Sequence, residues 1–277
     1  MKKTTLLFGR LLLACISLPA WSRLWGKLMR LRRPRFLAQA MVRRFQKHYR
    51  ISMEDFRGIP ADYPSLSDFF LRPLHTDKRP LPVDEQFLLS PADGRLSELE
   101  LIGHDRCTQV KDWTYPLSLL LAEKIDFSEK MYLATIYLSP SNYHRFHYPL
   151  SARISGCFHG GTRLFPVNDF SVNRVKRLYI RNERLVTRFD LPGSRFYLVA
   201  VGATFVGGIG MAYLPAGLPA KNDWQQLDIP VRQMAEMGHF AMGSTIILLF
   251  PAARVEKVLA EKGKTVRVGA PLFKIRN

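Results

Sequence analysis

Gly243-Ser244-Thr245-Ile246-Ile247-Leu248-Leu249-Phe250 decides the fold of this chain. The run 246–250 is short and apolar without polar alternation, which predicts a strand buried on both faces. Similar short runs, bounded by Gly, Pro, Asp and Asn, recur from about residue 88 at 94–101, 131–138, 153–157, 163–165, 184–189, 196–203 and 265–275. Their spacing predicts one antiparallel, β-rich domain over 88–277. Inside it, helices are expected only at 118–122 and 255–261. Upstream, Ile59-Pro60 and Tyr63-Pro64 mark turns in a connector over 51–87, with a short helix at 66–71 ending before Pro73.

The segments Pro91-Ala92-Asp93-Gly94-Arg95-Leu96 and 262–273 resemble half-motifs of the sandwiched β-barrels that carry biotin or lipoyl groups. No lysine in a tight turn accompanies them, so a barrel-like architecture is expected without the carrier function. The fold class is therefore α+β, a β-rich antiparallel, barrel-like core preceded by an N-terminal helical segment.

That segment is unusual in charge. The chain carries 41 Lys and Arg against 23 Asp and Glu, a net charge of +18, and thirteen of the basic residues fall within 1–50, where there is no acidic residue. Anionic membrane and nucleic acid are the two surfaces such a segment suits. Leu6, Leu7, Leu11, Leu13, Ile16, Leu18, Trp21, Leu24, Trp25, Leu28 and Leu31 are interleaved with Lys and Arg. This pattern predicts amphipathic helices over 1–50 lying in the membrane interface. A second helical stretch is expected at 36–49. Arg10 interrupts the apolar run, leaving it too short for a secretory signal or a spanning helix. A cleaved or lipidated export signal is the alternative. The three cysteines, Cys15, Cys107 and Cys157, have no metal-ligand spacing, and their odd number points to a reducing compartment.

Three stretches carry potential chemistry. Ser244 follows a glycine and leads into the buried strand. It is either part of a small-residue turn or a nucleophile aimed at the Gly243 carbonyl, which glycine leaves unhindered. Such an attack makes an ester; elimination across Cα–Cβ then breaks the chain and leaves a pyruvoyl group on residue 244. In Ser139-Pro140-Ser141-Asn142-Tyr143-His144-Arg145-Phe146-His147, expected as a loop, His144 and His147 suit a general acid and base, part of a metal site, or a polar loop. No further metal ligand stands nearby, and no metal is expected. Asp93 belongs either to a simple Asp-Gly turn or to an arrangement Asp93, His147, Ser244 in which a carboxylate orients the base of a serine nucleophile.

The ordered set resembles the bacterial phosphatidylserine decarboxylases. It comprises Ser-Asp-Phe-Phe-Leu-Arg-Pro-Leu at 67–74, Pro-Ala-Asp-Gly at 91–94, Leu-Ser-Pro-x-x-Tyr-His-Arg-x-His at 138–147, Phe-Ser-Val-Asn at 170–173, Arg-Asn-Glu-Arg at 181–184, Val-Gly-Ala-Thr at 201–204 and Glu-Met-Gly-x-Phe-x-Met-Gly-Ser-Thr at 236–245. The resemblance implies a proenzyme cut between Gly243 and Ser244 into a β chain, 1–243, and an α chain, 244–277, which stay together as a heterodimer. It implies Asp93, His147 and Ser244 as the self-processing triad, and His144 as a decarboxylation residue. The covalent pyruvoyl group at Ser244 would form a Schiff base with phosphatidylserine, and phosphatidylethanolamine would leave. Met242 stands where the family usually has Leu; the two are near-isosteric, so cleavage is expected to proceed. The implied partners are phosphatidylserine, an anionic membrane surface and the two cleaved chains, with no nucleic acid and the homo-oligomeric state left open. The implied location is peripheral, on the cytoplasmic face of the bacterial inner membrane. The alternatives are a non-enzymatic membrane-anchored β-barrel module and a metal-dependent hydrolase using His144 and His147.

Overall fold

The computed structural model describes residues 19–110, 113–125, 129–204, 208–241 and 244–276. The part of the predicted interfacial segment at 1–18, and Met242 and Gly243 before the expected cut, lie outside the described residues.

The core is an eight-stranded antiparallel sheet. Across it the strands run Trp224–Val231, Ala152–Gly160, Arg184–Leu191, Ser194–Gly202, Ser244–Pro251, Met131–Leu138, Gly94–Ile102 and Thr265–Val266. All eight residues of Ser244–Pro251 are buried. Ile246, Leu248 and Phe250 enter one apolar cluster, with Leu96, Ile136, Leu198 and Phe273. Ile247 and Leu249 enter another on the opposite face, with Leu133, Val199, Tyr115 and Leu178. Burial on both faces explains why the sequence runs apolar here instead of alternating.

The antiparallel, β-rich class holds, but the sheet is open and does not close into a barrel. One edge strand, Trp224–Val231, alternates half-buried with exposed residues and contains Pro230, which cannot donate to a further ladder. The other, Thr265–Val266, is only two residues long. Two three-stranded sheets flank the main one. Phe87–Leu89, Pro271–Ile275 and Val255–Val258 form the first; Ile209–Met211, Glu236–Phe240 and Arg145–His147 form the second.

Four expectations are corrected. Residues 255–258 form a strand, because pairing with Pro271–Ile275 overrides the local helical pattern. The run 163–165 is no strand: the buried Asn182 side chain satisfies both the N–H and the C=O of Phe165, at 2.9 and 2.8 Å. The run 265–275 is broken by a turn in which Gly269 takes φ +85°. Part of the expected 139–147 loop, Arg145–His147, is a strand.

The helix Arg35–Tyr49 buries Ala38, Gln39, Val42 and Phe45, one face at helical spacing, and leaves Arg43, Arg44 and Lys47 exposed. Gln39 Nε2 donates to the carbonyls of Ala61 and Tyr63 at 3.1 and 3.0 Å, tying this helix to the connector. Phe45 meets Phe69 and Phe70 edge-on. Those two belong to the helix Leu66–Phe70, whose Ser65 cap accepts from Asp68 N–H at 3.1 Å. Pro73 prevents its continuation. The helix Leu117–Leu121 lies where 118–122 was expected.

Leu248 touches core on a strand paired along both edges, so Leu248→Ala is expected to lower unfolding stability by about 2–5 kcal/mol. The exposed Leu101, on Gly94–Ile102, should tolerate Ala within about 0.5 kcal/mol. Chemical denaturation of both variants checks the contrast.

Candidate active site

The three chemistry-bearing stretches converge at one end of the main sheet. Ser244 opens the central strand, opposite Leu138 on one side and Gly202 on the other. Asp93 immediately precedes Gly94–Ile102, the next strand beyond Met131–Leu138. Gly94 is required there, because a Cβ would sit 2.5 Å from the Tyr137 carbonyl oxygen. The segment 139–147 leaves the end of Met131–Leu138 between these two strands. It then turns back as Arg145–His147, pairing with Glu236–Phe240, so that His147 lies opposite Glu236. Phe240 N–H donates to the His144 carbonyl at 2.9 Å, four residues ahead of Ser244.

Ser244 is fully buried, and neither its Oγ nor the Oγ1 of Thr245 has a hydrogen-bond partner among the described residues. An unpaired buried hydroxyl is costly, so its presence calls for a reason other than stability.

His147 is well partnered. Its backbone N–H donates to the Pro91 carbonyl at 2.8 Å, fastening the histidine strand to the Asp93 turn. Nδ1 lies 2.8 Å from the Met234 carbonyl and Nε2 lies 3.0 Å from the Tyr143 hydroxyl, whose ring stacks on the imidazole. A carbonyl only accepts, so Nδ1 carries the proton and Nε2 accepts from Tyr143. Met234 supplies that carbonyl from a left-handed conformation, φ 60°, held by packing against Phe56, Leu74 and Tyr143. Burial pushes the His147 pKa below its ordinary value; the Met234 hydrogen bond and the charges of Glu236 and Asp93 oppose the shift.

Asp93 is engaged elsewhere. Its carboxylate receives both terminal nitrogens of Arg79, with Nη1 at 2.8 Å from Oδ2, and Val268 N–H donates to Oδ1 at 2.8 Å. Thus Asp93 and His147 are brought to adjacent backbone, but their side chains do not hydrogen-bond to each other, and Ser244 Oγ bonds to neither. Arg79 in turn lies 4.0 Å from Asp55, which also pairs with Arg267 at 3.3 Å.

His144 is completely enclosed. Nδ1 is 2.9 Å from the Asn142 carbonyl, and Nε2 has no partner among the described residues. The Phe70 ring lies on it at 3.9 Å between centroids. Burial first, and the positive charge of Arg72 second, pull its pKa down to about 3. Both histidines are therefore neutral near pH 7, with their lone pairs on Nε2. The neighbouring Arg145 is occupied by Glu236 at 3.0 Å and by the Leu71 carbonyl at 2.9 Å.

The sequence missed Arg79, Tyr143, Met234 and Glu236 as partners of the site. Tyr143 lies within a motif already singled out. Arg79 and Met234 leave no local signal, because their roles arise from contacts across the fold. Among the described residues no three His, Cys, Asp or Glu side chains gather as a cation site.

A histidine whose folded pKa lies below 6.5 resists the proton that the unfolded chain accepts. Stability is therefore expected to be full above about pH 6.5 and to fall as the pH drops toward 3. Thermal unfolding across this range should show the loss, and His144→Asn should flatten it.

Comparison with known proteins gives the family. The sequence model of a family described as phosphatidylserine decarboxylase matches residues 66–274. A phosphatidylserine decarboxylase proenzyme of Anaeromyxobacter sp. (strain K) is 38% identical over 266 residues, covering 91% of this chain and 93% of that protein. That of Myxococcus xanthus (strain DK1622) is 36% identical over 263 residues, covering 90% and 94%. That of Bordetella avium (strain 197N) is 38% identical over 229 residues, covering 79% and 78%. The chain belongs to the phosphatidylserine decarboxylase family, and is a decarboxylase.

Proposed function

We propose that this chain cuts itself between Gly243 and Ser244 and that the two-chain product converts phosphatidylserine to phosphatidylethanolamine at a membrane surface. The observation that carries the reading is the unpartnered, buried hydroxyl of Ser244 at the head of the central strand. Ladders on both sides hold the Ser244 backbone, so the nucleophile is fixed while its oxygen remains uncommitted.

In this reading Ser244 Oγ attacks the Gly243 carbonyl and converts the peptide bond to an ester. Loss of the Ser244 Cα proton expels the Gly243 carboxylate from Cβ. Water then replaces the enamine nitrogen, which leaves as ammonia. His147 is the base that accepts the Ser244 proton, being neutral with its lone pair on Nε2. Tyr143 holds that lone pair in the uncut arrangement, so its hydroxyl must yield the nitrogen before transfer. Asp93 serves through its charge, which favours the imidazolium once formed. The residues at the site fit the pyruvoyl group that results, since nothing among them competes for the residue 244 side chain. Bound there, a pyruvoyl carbonyl would engage the substrate amine and accept the electron pair released with CO₂. His144, neutral and enclosed, is the residue we assign to the decarboxylation step, in which its bare Nε2 can act only as an acceptor.

The cut leaves the two pieces interlocked. Residues 244–277 contribute Ser244–Pro251 between Ser194–Gly202 and Met131–Leu138, Thr265–Val266 against Gly94–Ile102, and Pro271–Ile275 against Phe87–Leu89. The α and β chains therefore stay together as a heterodimer after the bond is lost.

The N-terminal helices supply the membrane surface. Pro19–Met29 and Arg35–Tyr49 leave Leu24, Leu28, Phe36 and Leu37 exposed, Phe36 by 75%, beside exposed Lys27, Arg32, Arg33 and Arg35. Among the described residues no helix is long and apolar enough to cross a membrane. Apolar side chains in the acyl layer and basic ones on anionic head groups, each worth about 1 kcal/mol, suit peripheral attachment. The cytoplasmic face of the bacterial inner membrane is the location we assign.

Intact mass under denaturing conditions tests the cut. A fragment of roughly 4 kDa, scaled from 31.8 kDa for the whole chain, and the loss of one ammonia are expected. Ser244→Ala should remain a single chain; two pieces in that variant would move the cut elsewhere. Phe36→Ser should weaken binding to anionic vesicles by at least about tenfold, and added salt should weaken it further. Unchanged binding would remove these helices from the membrane.

A further inference from the structure

The run Phe70-Leu71-Arg72 lies along residues 141–145 and makes three successive contacts with it. Phe70 covers the His144 ring at 3.9 Å, the Leu71 carbonyl accepts from Arg145 Nε at 2.9 Å, and Arg72 Nη2 donates to the carbonyls of Ser141 and Asn142 at 2.7 and 3.1 Å. The Asn142 carbonyl is the one that also receives His144 Nδ1. A carbonyl oxygen has two lone pairs, so both donors fit.

Arg72 is an odd residue to find here. It is 0% exposed, makes no salt bridge among the described residues, and its Nε has no partner among them. Phe56 and Phe69 lie against the guanidinium, 4.2 and 5.3 Å from their ring centroids. Burial pulls its pKa down to about 10, which still leaves it charged at neutral pH. A buried cation without a carboxylate is destabilising compared with an apolar side chain of the same volume. Nη1 also donates to the Phe69 carbonyl at 3.4 Å, within its own turn. Stability therefore does not account for it; its two hydrogen bonds to the 141–142 backbone and its charge remain as the reason.

We propose that Arg72 is the positioning residue for His144: its grip on the Ser141 and Asn142 carbonyls locks the Nδ1–H···O=C hydrogen bond and leaves Nε2 as a fixed, unprotonated acceptor. The Phe70 ring prevents the imidazole from tilting out of this bond. Arg72 also opposes protonation of His144 by its charge. The other charged and titratable groups on surrounding elements are paired Arg145 and Glu236, His239, Tyr63, Tyr143 and the Arg79–Asp93 pair. Of these charges, Arg72 is the one that acts on His144. The kinetic consequence rests on the reading of His144 as a decarboxylation residue; the tautomer does not.

The test uses the cut, detergent-solubilised enzyme labelled with ¹⁵N-histidine, with the His144 resonances identified by their loss in His144→Gln. Wild type is expected to show Nδ1 protonated and Nε2 bare at pH 7. Arg72→Met should give a mixture of tautomers. Its kcat should fall at least about tenfold with little change in KM, and the acid limb of its pH profile should move to higher pH. Arg72→Lys keeps the charge but not the planar fork, so it should lose kcat while the acid limb stays in place. An unaltered tautomer together with a superimposable pH profile in Arg72→Met overturns the proposal. If that variant does not fold, an unaltered tautomer and kcat in Arg72→Lys overturns it instead. Full activity in His144→Gln would defeat the role given to His144, while the tautomer measurement would still decide the role of Arg72.

Discussion

Two hydrogen-bond ladders, one on each edge of Ser244–Pro251, fix the centre of this molecule. Because a strand alternates its faces, a slip of one residue would exchange the Ile246-Leu248-Phe250 face for the Ile247-Leu249 face. Both faces are packed into separate apolar clusters, so the register is held from two sides. Ser244 inherits its position from that register. The residue assigned to cut the chain is thus placed by core packing that begins immediately after it. The same ladders would hold together a chain cut as proposed.

Around this fixed point most of the charge near the histidines is paired off, Arg72 beside His144 being the exception. Asp93 is saturated by Arg79 and the Val268 amide, and Arg145 is paired with Glu236. His144 and His147 are enclosed, donate from Nδ1 to backbone carbonyls and remain neutral, because an imidazolium cannot be hydrated there. Among the described residues the uncommitted buried atoms at this end of the sheet include Ser244 Oγ, Thr245 Oγ1 and His144 Nε2, with Arg72 Nε behind them. Polar atoms left idle in a dry interior mark where the fold gives up stability for chemistry.

Several elements were legible because their signals are local. The apolar run 246–250, the short helix ending before Pro73 and the helical stretch expected at 36–49 each follow from local composition and periodicity. Other readings failed where a distant partner intervened. Asn182 took the hydrogen bonds that would have made 163–165 a strand, and pairing with Pro271–Ile275 drew 255–258 out of a helix. Barrel closure was not legible either, since it depends on the exposed, proline-bearing edge at Trp224–Val231 and the very short edge at Thr265–Val266.

The sequence by itself determined the β-rich class, the buried strand with a serine at its head, the basic helical approach and the order of motifs that identifies the family. Those depend on residue type and spacing along the chain. Only the tertiary structure decided who bonds to whom: Arg79 and not His147 on the Asp93 carboxylate, Met234 and Tyr143 on His147, and Phe70 with Arg72 around His144. The physical reason is distance. A hydrogen bond requires its atoms within about 3 Å, and these atoms come from segments whose approach is set by the packing of the whole sheet.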